Sequence, residues 1–412
     1  MTLPAIPTVE IRLGTGPAWG DVLVLGDLAD GILGTNILGT ESTVVANVSS
    51  DVQRISIRRG RDRVFDNFTA GTATIQFLDR TGDWNPNNPA GAYYGRILPM
   101  RQVKIYTTYQ SVSYDLHTGF ITSWDWAWAD QAAGYAIVTI QTVDAFRLLQ
   151  LSQITTVTGA ANKDLPGERI GLILDEINWP SDLRDIDTGD TELEGDPGDA
   201  RTALSAIQVI EQSDLGAFFV DPAGVLTYFD RIELSAKASS TATRFADDGT
   251  GIPYQDLDLN LDDTQLANSV TFTRLSGQPQ TAQDQDSIDQ YFLRSYSRTG
   301  LMMETNALAL ARAQTFLNRS KDTNLRVDSI TLDLSSDTSR VEPALSLDVA
   351  DPIVIQRTMA AGTDITVRVV VNGVNHDITP DRWTTTFSTG APLSTAFVLG
   401  SINFGILGTN TL

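Results

Sequence analysis

The chain has 412 residues, 42 % of them hydrophobic, enough for a sizeable core and two to four domains, and it contains no cysteine. That absence excludes disulfide frameworks, thiolate metal sites and cysteine nucleophiles, and the two histidines, His117 and His376, lie in no HExxH- or GxSxG-like setting. The net charge of −22 divides as −3 over residues 1–150, −12 over 151–235 and −7 over 236–412, a sign that repels DNA phosphates and argues against sequence-specific nucleic-acid binding.

The first 150 residues read as successive strands. VEIRL, RISIRRG, ATIQFLD, QVKIYTT, SYDLHTGFITSW and YAIVTIQTVD alternate or run apolar over strand lengths, with Gly, Pro, Asn and Asp between them. An antiparallel β domain over 1–150 follows. GERIGLILDEINWP (167–180) and DARTALSAIQVIEQSDLG (199–216) then place apolar residues three and four apart, predicting two amphipathic helices, the second capped by Asp199 and stopped at Gly216. AFFVDPAGVLTYFDR (217–231) reads as a hairpin turning at Asp221–Gly224, so 151–235 is expected to be a smaller α+β domain. Residues 236–255 are polar and suit a linker or an excursion back to the first domain. Strands then return through WTTTFSTG, with one helix predicted over 303–320, giving a second β domain over 236–412. No stretch has the roughly 18 apolar residues of a membrane span, and MTLPAIPTVEIRLG lacks the basic start and apolar run of a secretory signal, so a soluble chain made in a cytoplasm, without membrane insertion, is expected.

Four features stand out chemically. VLGDLADGILGTN (24–36) and VLGSINFGILGTN (398–410) share nine of thirteen residues, including Gly31, Leu33, Gly34, Thr35 and Asn36 in one copy and Gly405, Leu407, Gly408, Thr409 and Asn410 in the other. They read either as two Gly-turned β segments docking on similar surfaces or as equivalent sites offered to a ring-shaped neighbour. Arg54, Arg58, Arg59, Arg61 and Arg63 cluster beside Asp62 and Asp66, suited either to ion pairs between subunits or to pairs within the chain. Trp124, Trp126 and Trp128 alternate and so share one strand face, a core, a subunit interface or a sugar platform. The acidic run 182–199 fails the EF-hand register and reads as a solvated loop with no metal. A glycosidase would need one carboxylate pair about 5–10 Å apart, and 51 acidic residues single out none.

The stretch from Ile57 to Ile105 resembles the minor tail proteins of siphophages that infect actinobacteria. Its matching pieces are Arg59-Gly60-Arg61, Asp66, Gly71-Thr72, Leu78-Asp79, Asn85-Pro86, Tyr93-Tyr94-Gly95 and Pro99, followed by Thr118–Ile121 with Trp124, Thr142–Phe146, Asn178-Trp179-Pro180, Arg184–Asp187 and Trp383. The resemblance departs at 23–43, which looks inserted. It implies a baseplate hub or minor tail protein with two tail-tube-like antiparallel β domains flanking a smaller α+β domain, mainly β overall. Three chains would then place six such domains in a pseudo-sixfold ring.

The expected role is structural and non-enzymatic, without cofactor: a ring at the virion's tail tip that closes the tube and opens for the tape-measure protein and DNA. Partners implied are further copies in a homotrimer, the distal tail ring protein, the tape-measure protein and lower tail-tip or receptor-binding proteins. Alternatives are a receptor- or glycan-binding tail-tip module, with exposed tryptophans, and a cell-wall hydrolase.

Overall fold

A computed structural model describes residues 3–14, 44–63, 66–128, 135–323 and 325–393. Strand sequences rich in Val, Ile and Thr with alternating burial, such as Ile55, Ile57 and Arg59 inward and Ser56 and Arg58 outward, assemble a 13-stranded sheet. Along it lie Asp256–Asn260, Arg326–Asp333, Trp383–Gly390, Ile365–Ile378, Val52–Gly60, Thr69–Asp79, Ala136–Val143, Val112–Trp128, Gln102–Tyr109, Pro7–Arg12 and Val45–Asn47, with Pro352–Arg357 and Thr243–Ala246 branching from Ile365–Ile378. The fold is mainly β. The β regions at the two ends of the sequence are joined in this one sheet and share a core, in which Ile55, Ile75 and Phe77 pack in the same cluster as Ile330, Trp383 and Phe387.

Two smaller cores sit beside it. Helices Pro166–Glu176 and Ala203–Asp214 lay Ile170, Ile173, Leu174, Ile207 and Ile210 against the hairpin Ala217–Val220/Leu226–Phe229. The hairpin turns where Gly224 adopts φ +96° and Asp221 accepts the Val225 N–H at 2.8 Å. Residues 267–317 form a third cluster, with helix Asn306–Ser320 on a sheet of Ser269–Arg274, Gln280–Gln283 and Ser295–Leu301. The helix expected over 303–320 thus belongs to a unit inserted between two strands of the large sheet.

Three sequence-based expectations are corrected. Helix Ala203–Asp214 is capped by Thr202, whose Oγ1 accepts the Ser205 N–H at 3.1 Å, not by Asp199, because Arg201–Thr202 first pairs with Gln153–Ile154 as a short ladder. Residues 236–255, expected to be a linker or an excursion back to the first domain, hold the end of helix Arg231–Ser239 and strand Thr243–Ala246, which pairs in parallel with Pro352–Arg357 of the second β region. Phe245 supplies the burial that holds it there. The acidic run is not simply solvated, since Asp190 pairs with Arg231 and Arg312, Glu194 with Arg274, and Asp196 with Arg201. Arginines from neighbouring elements thus offset part of its charge.

Candidate subunit interface

The large sheet contains the same pattern twice. In the first half, Val52–Gly60, Thr69–Asp79, Ala136–Val143, Val112–Trp128 and Gln102–Tyr109 pair in that order; in the second, Asp256–Asn260, Arg326–Asp333, Trp383–Gly390, Ile365–Ile378 and Pro352–Arg357 do the same, all antiparallel. Along the two long strands the registers superimpose. Ser123↔Gln141 through Trp128↔Ala136 corresponds to Gly373↔Ser388 through Ile378↔Trp383, each run preceded by an irregularity, after Ile121 and after Val371. Even the strained entry repeats: Met100 (φ 63°) and Ala350 (φ 72°) are left-handed, and each donates its N–H to a carbonyl of the long strand, that of Ile121 at 2.7 Å and of Val371 at 2.8 Å. Side chains differ at nearly every matched position, which is why the sequence alone does not announce this repeat.

The halves meet where Ile365–Ile378 turns its second edge to Val52–Gly60, with Gly373 opposite Gly60 and Ile378 opposite Ile55. Two glycines permit the approach. A Cβ on Gly60, which has φ +93°, would lie 2.3 Å from the Asn372 carbonyl oxygen, and one on Gly373 would lie 2.8 Å from that of Arg59. The Arg61 N–H closes the ladder on Asn372 O at 3.0 Å. Arg54 grips Asp377 with two hydrogen bonds of 3.1 and 2.9 Å on the exposed face, while on the buried face Arg59 donates to Asp348 at 2.9 Å.

Each half has a counterpart of the junction strand, but only one junction is made within the chain. The edge of residues 122–128 that corresponds to 373–378 carries no paired strand among the described residues, and Asp256–Asn260, the counterpart of Val52–Gly60, ends the sheet. Trp128, at the tip of the first edge, is 70 % exposed. These two open edges are complementary copies of two edges that already fit.

Arg58 pairs with Asp62, Arg59 with Asp348, and the Arg61 guanidinium lies 4.4 Å above the Phe68 ring and reaches the Asp66 carbonyl. The arginine cluster therefore makes its described contacts within the chain, around the junction. The tryptophans divide. Trp84, Trp124 and Trp126 stack at 5.6 and 6.4 Å between centroids, with the Trp124 and Trp126 indole N–H groups donating to Leu98 O and Trp84 O, and Trp128 stands apart. Both copies of the repeated docking segment, Gly31–Asn36 and Gly405–Asn410, lie outside the described residues. Both histidines are buried, His117 against the Thr142 hydroxyl and His376 against that of Thr385, and burial pushes each imidazole down to about 3, neutral at any ordinary pH. No group of three or more potential metal ligands occurs among the described residues, and none of their helices is long and apolar enough to cross a membrane.

Buried carboxyls lie close to the junction. Burial raises Asp144 and Glu211 each to about 7. A carboxyl whose folded pKa exceeds its unfolded value favours the folded state when protonated, so this contribution is complete below about pH 4 and is lost as pH rises to about 7. Glu211→Gln should therefore flatten the pH dependence of the unfolding free energy from urea titrations between pH 5 and 7.5, by up to about 3 kcal/mol at roughly 1.4 kcal/mol per pKa unit. An unaltered slope in the variant would assign that dependence elsewhere.

No protein-family model matches the chain, and no curated protein matches it. Solved structures do. The 43 kDa tail protein of prophage MuSo2 from Shewanella oneidensis superimposes with a TM-score of 0.55 at 12 % identity, over 85 % of this chain and 94 % of its own. A tail protein from Neisseria meningitidis MC58 gives 0.56 at 12 % identity, over 94 % and 96 %. The fold is that of phage tail proteins, matched along nearly the full length of both.

Proposed function

We propose that the chain is a non-enzymatic structural protein of a phage tail tip, a baseplate hub or minor tail protein that closes into a ring of three copies. The observation that carries this reading is the repeated half with one junction satisfied and one open. If the open edges join as the internal ones do, Trp128 of one copy lies opposite Leu257 of the next, by the equivalence of Ile378 with Trp128 and of Ile55 with Leu257. Ala127 then faces Asp258. Three copies would present six β halves to a sixfold tube, and strand pairing between copies would protect edges that are otherwise templates for aggregation. The solvent-facing side of the sheet carries Thr72, Thr74, Gln141, Thr384 and Thr386 together with Arg54 and Arg58, each ion-paired with an aspartate, a polar wall suited to DNA and a tape-measure protein sliding past. The distal tail ring above and lower tip proteins below are the partners this position calls for.

Light scattering on the purified chain, with negative-stain images of the same peak, tests the reading. A threefold or pseudo-sixfold ring is expected for the native chain and a folded monomer for both Trp128→Asp and Leu257→Lys, the second with a lowered Tm because Leu257 also packs against the main core. Rings that persist in both variants would discard this register, and a native chain that is monomeric at every concentration would discard self-assembly.

A further inference from the structure

The two β halves, the α+β core and the 267–317 unit leave a cavity of about 60 Å³ where they converge. Five elements aim polar side chains at it. Arg61 follows the junction strand, Glu211 comes from helix Ala203–Asp214, Arg298 from Ser295–Leu301, Arg319 from helix Asn306–Ser320 and Asn372 from Ile365–Ile378.

Their hydrogen-bonding is incomplete in one direction. Among the described residues, Arg61 Nε, Arg319 Nε and Asn372 Nδ2 are out-of-solvent donors with no acceptor, against one orphaned acceptor in the cavity, Glu211 Oε2. Asn372 and Glu211 are themselves 2 % and 4 % exposed, so bulk water does not complete them. Orphaned buried donors are destabilising unless something else accepts from them.

The charge is unbalanced in the same sense. Three guanidinium groups face one carboxyl, with Asp66 at the rim, in a chain whose net charge is −22. The Arg298 Nε–H is already given to the Tyr296 hydroxyl at 2.7 Å, and Arg319 donates from its Nη2 to the Ala391 carbonyl, so the guanidinium positions are held before any ligand arrives. A space this size takes a few water molecules, each needing about 10–15 Å³, or one small acceptor-rich ion. Water could accept from the donors but would leave the excess positive charge uncompensated.

We propose that this cavity is a built anion site for a small oxyanion of phosphate or carboxylate type, received by Arg61, Arg319 and Asn372 and faced by Arg298. An oxyanion there ties four packed units through one point. The inference stands on the single chain and does not depend on ring assembly.

The test is thermal unfolding and calorimetric titration of the full chain with inorganic phosphate in one arm and acetate in another, with chloride at matched ionic strength as control. A saturable rise in Tm is expected in one of the two oxyanion arms, and the arm in which it appears identifies the source chemistry. At pH 8, where the native Glu211 carboxyl is ionised, Glu211→Gln, which removes that repelling charge and keeps the shape, should bind the probe on the order of tenfold more tightly. Arg319→Met should abolish saturation; should that variant not fold, Arg298→Met provides the same reading from a different wall. Equal, unsaturating shifts in the phosphate, acetate and chloride arms, for both the native chain and Glu211→Gln, would overturn the proposal and leave the cavity to water.

Discussion

Gly60→Ala is expected to lower stability by about 3–5 kcal/mol, among the largest losses open to a single methyl group. The residue sits at φ +93°, where an L side chain is strained by roughly 1–2 kcal/mol. Its new Cβ would also meet backbone on the facing strand, 2.3 Å from Asn372 O and 2.6 Å from Gly373 Cα, and backbone in a paired sheet has no rotamer into which to retreat. The strand pair that joins the two halves must separate to make room. Gly95→Ala is the control, because Gly95 also has positive φ, +75°, but nothing lies within 4 Å of its missing Cβ. That substitution should cost only about 1 kcal/mol. Urea midpoints of the two variants decide the matter: equal losses would mean that only local backbone strain, and not the closeness of the two strands, is felt at Gly60.

Arg59→Met is expected to cost about 3–5 kcal/mol at neutral pH, the usual consequence of removing one partner from a buried ion pair. The Arg59 side chain is 5 % exposed and that of Asp348 26 %, so the aspartate left behind is only partly rescued by solvent. The damage extends further, because the Arg59 charge also holds down the pKa values of Asp144 and Asp221, each of which burial raises. Without it both rise further, and the folded state carries a larger penalty once they ionise. The loss should accordingly be smaller at pH 5 than at pH 7.5. A double-mutant cycle with Asp348→Asn isolates the pair itself, and a coupling energy near zero would show that Arg59 acts through packing alone.

Much of the fold was legible from short-range pattern. The strands of 1–150, the helices within 167–180 and 199–216, the hairpin at Asp221–Gly224 and the helix within 303–320 are all present, since periodic burial and turn chemistry are local properties. Cap choice was not, because Thr202 displaced Asp199 through a ladder with residues some fifty positions away in sequence. The arginine cluster and the tryptophan alternation were likewise visible, but their partners were not. Arg59 finds Asp348 and Arg54 finds Asp377 across more than 280 positions, and Trp124 and Trp126 are engaged by Trp84 while Trp128 is not.

The amino-acid sequence by itself determined the class: a cysteine-free, acidic, mainly β chain with an α+β middle, because composition and periodicity survive without knowledge of what packs on what. The family resemblance already implied two like β domains, and only the tertiary structure decided that they share one sheet, in which register, and that two edges stay open. Strand pairing is made by backbone groups that every residue carries, so Met100 and Ala350, or Trp128 and Ile378, can occupy equivalent places with no likeness of side chain. Gly60 and Gly373 acquire their meaning in the same way, as the two positions where one backbone must come within reach of another.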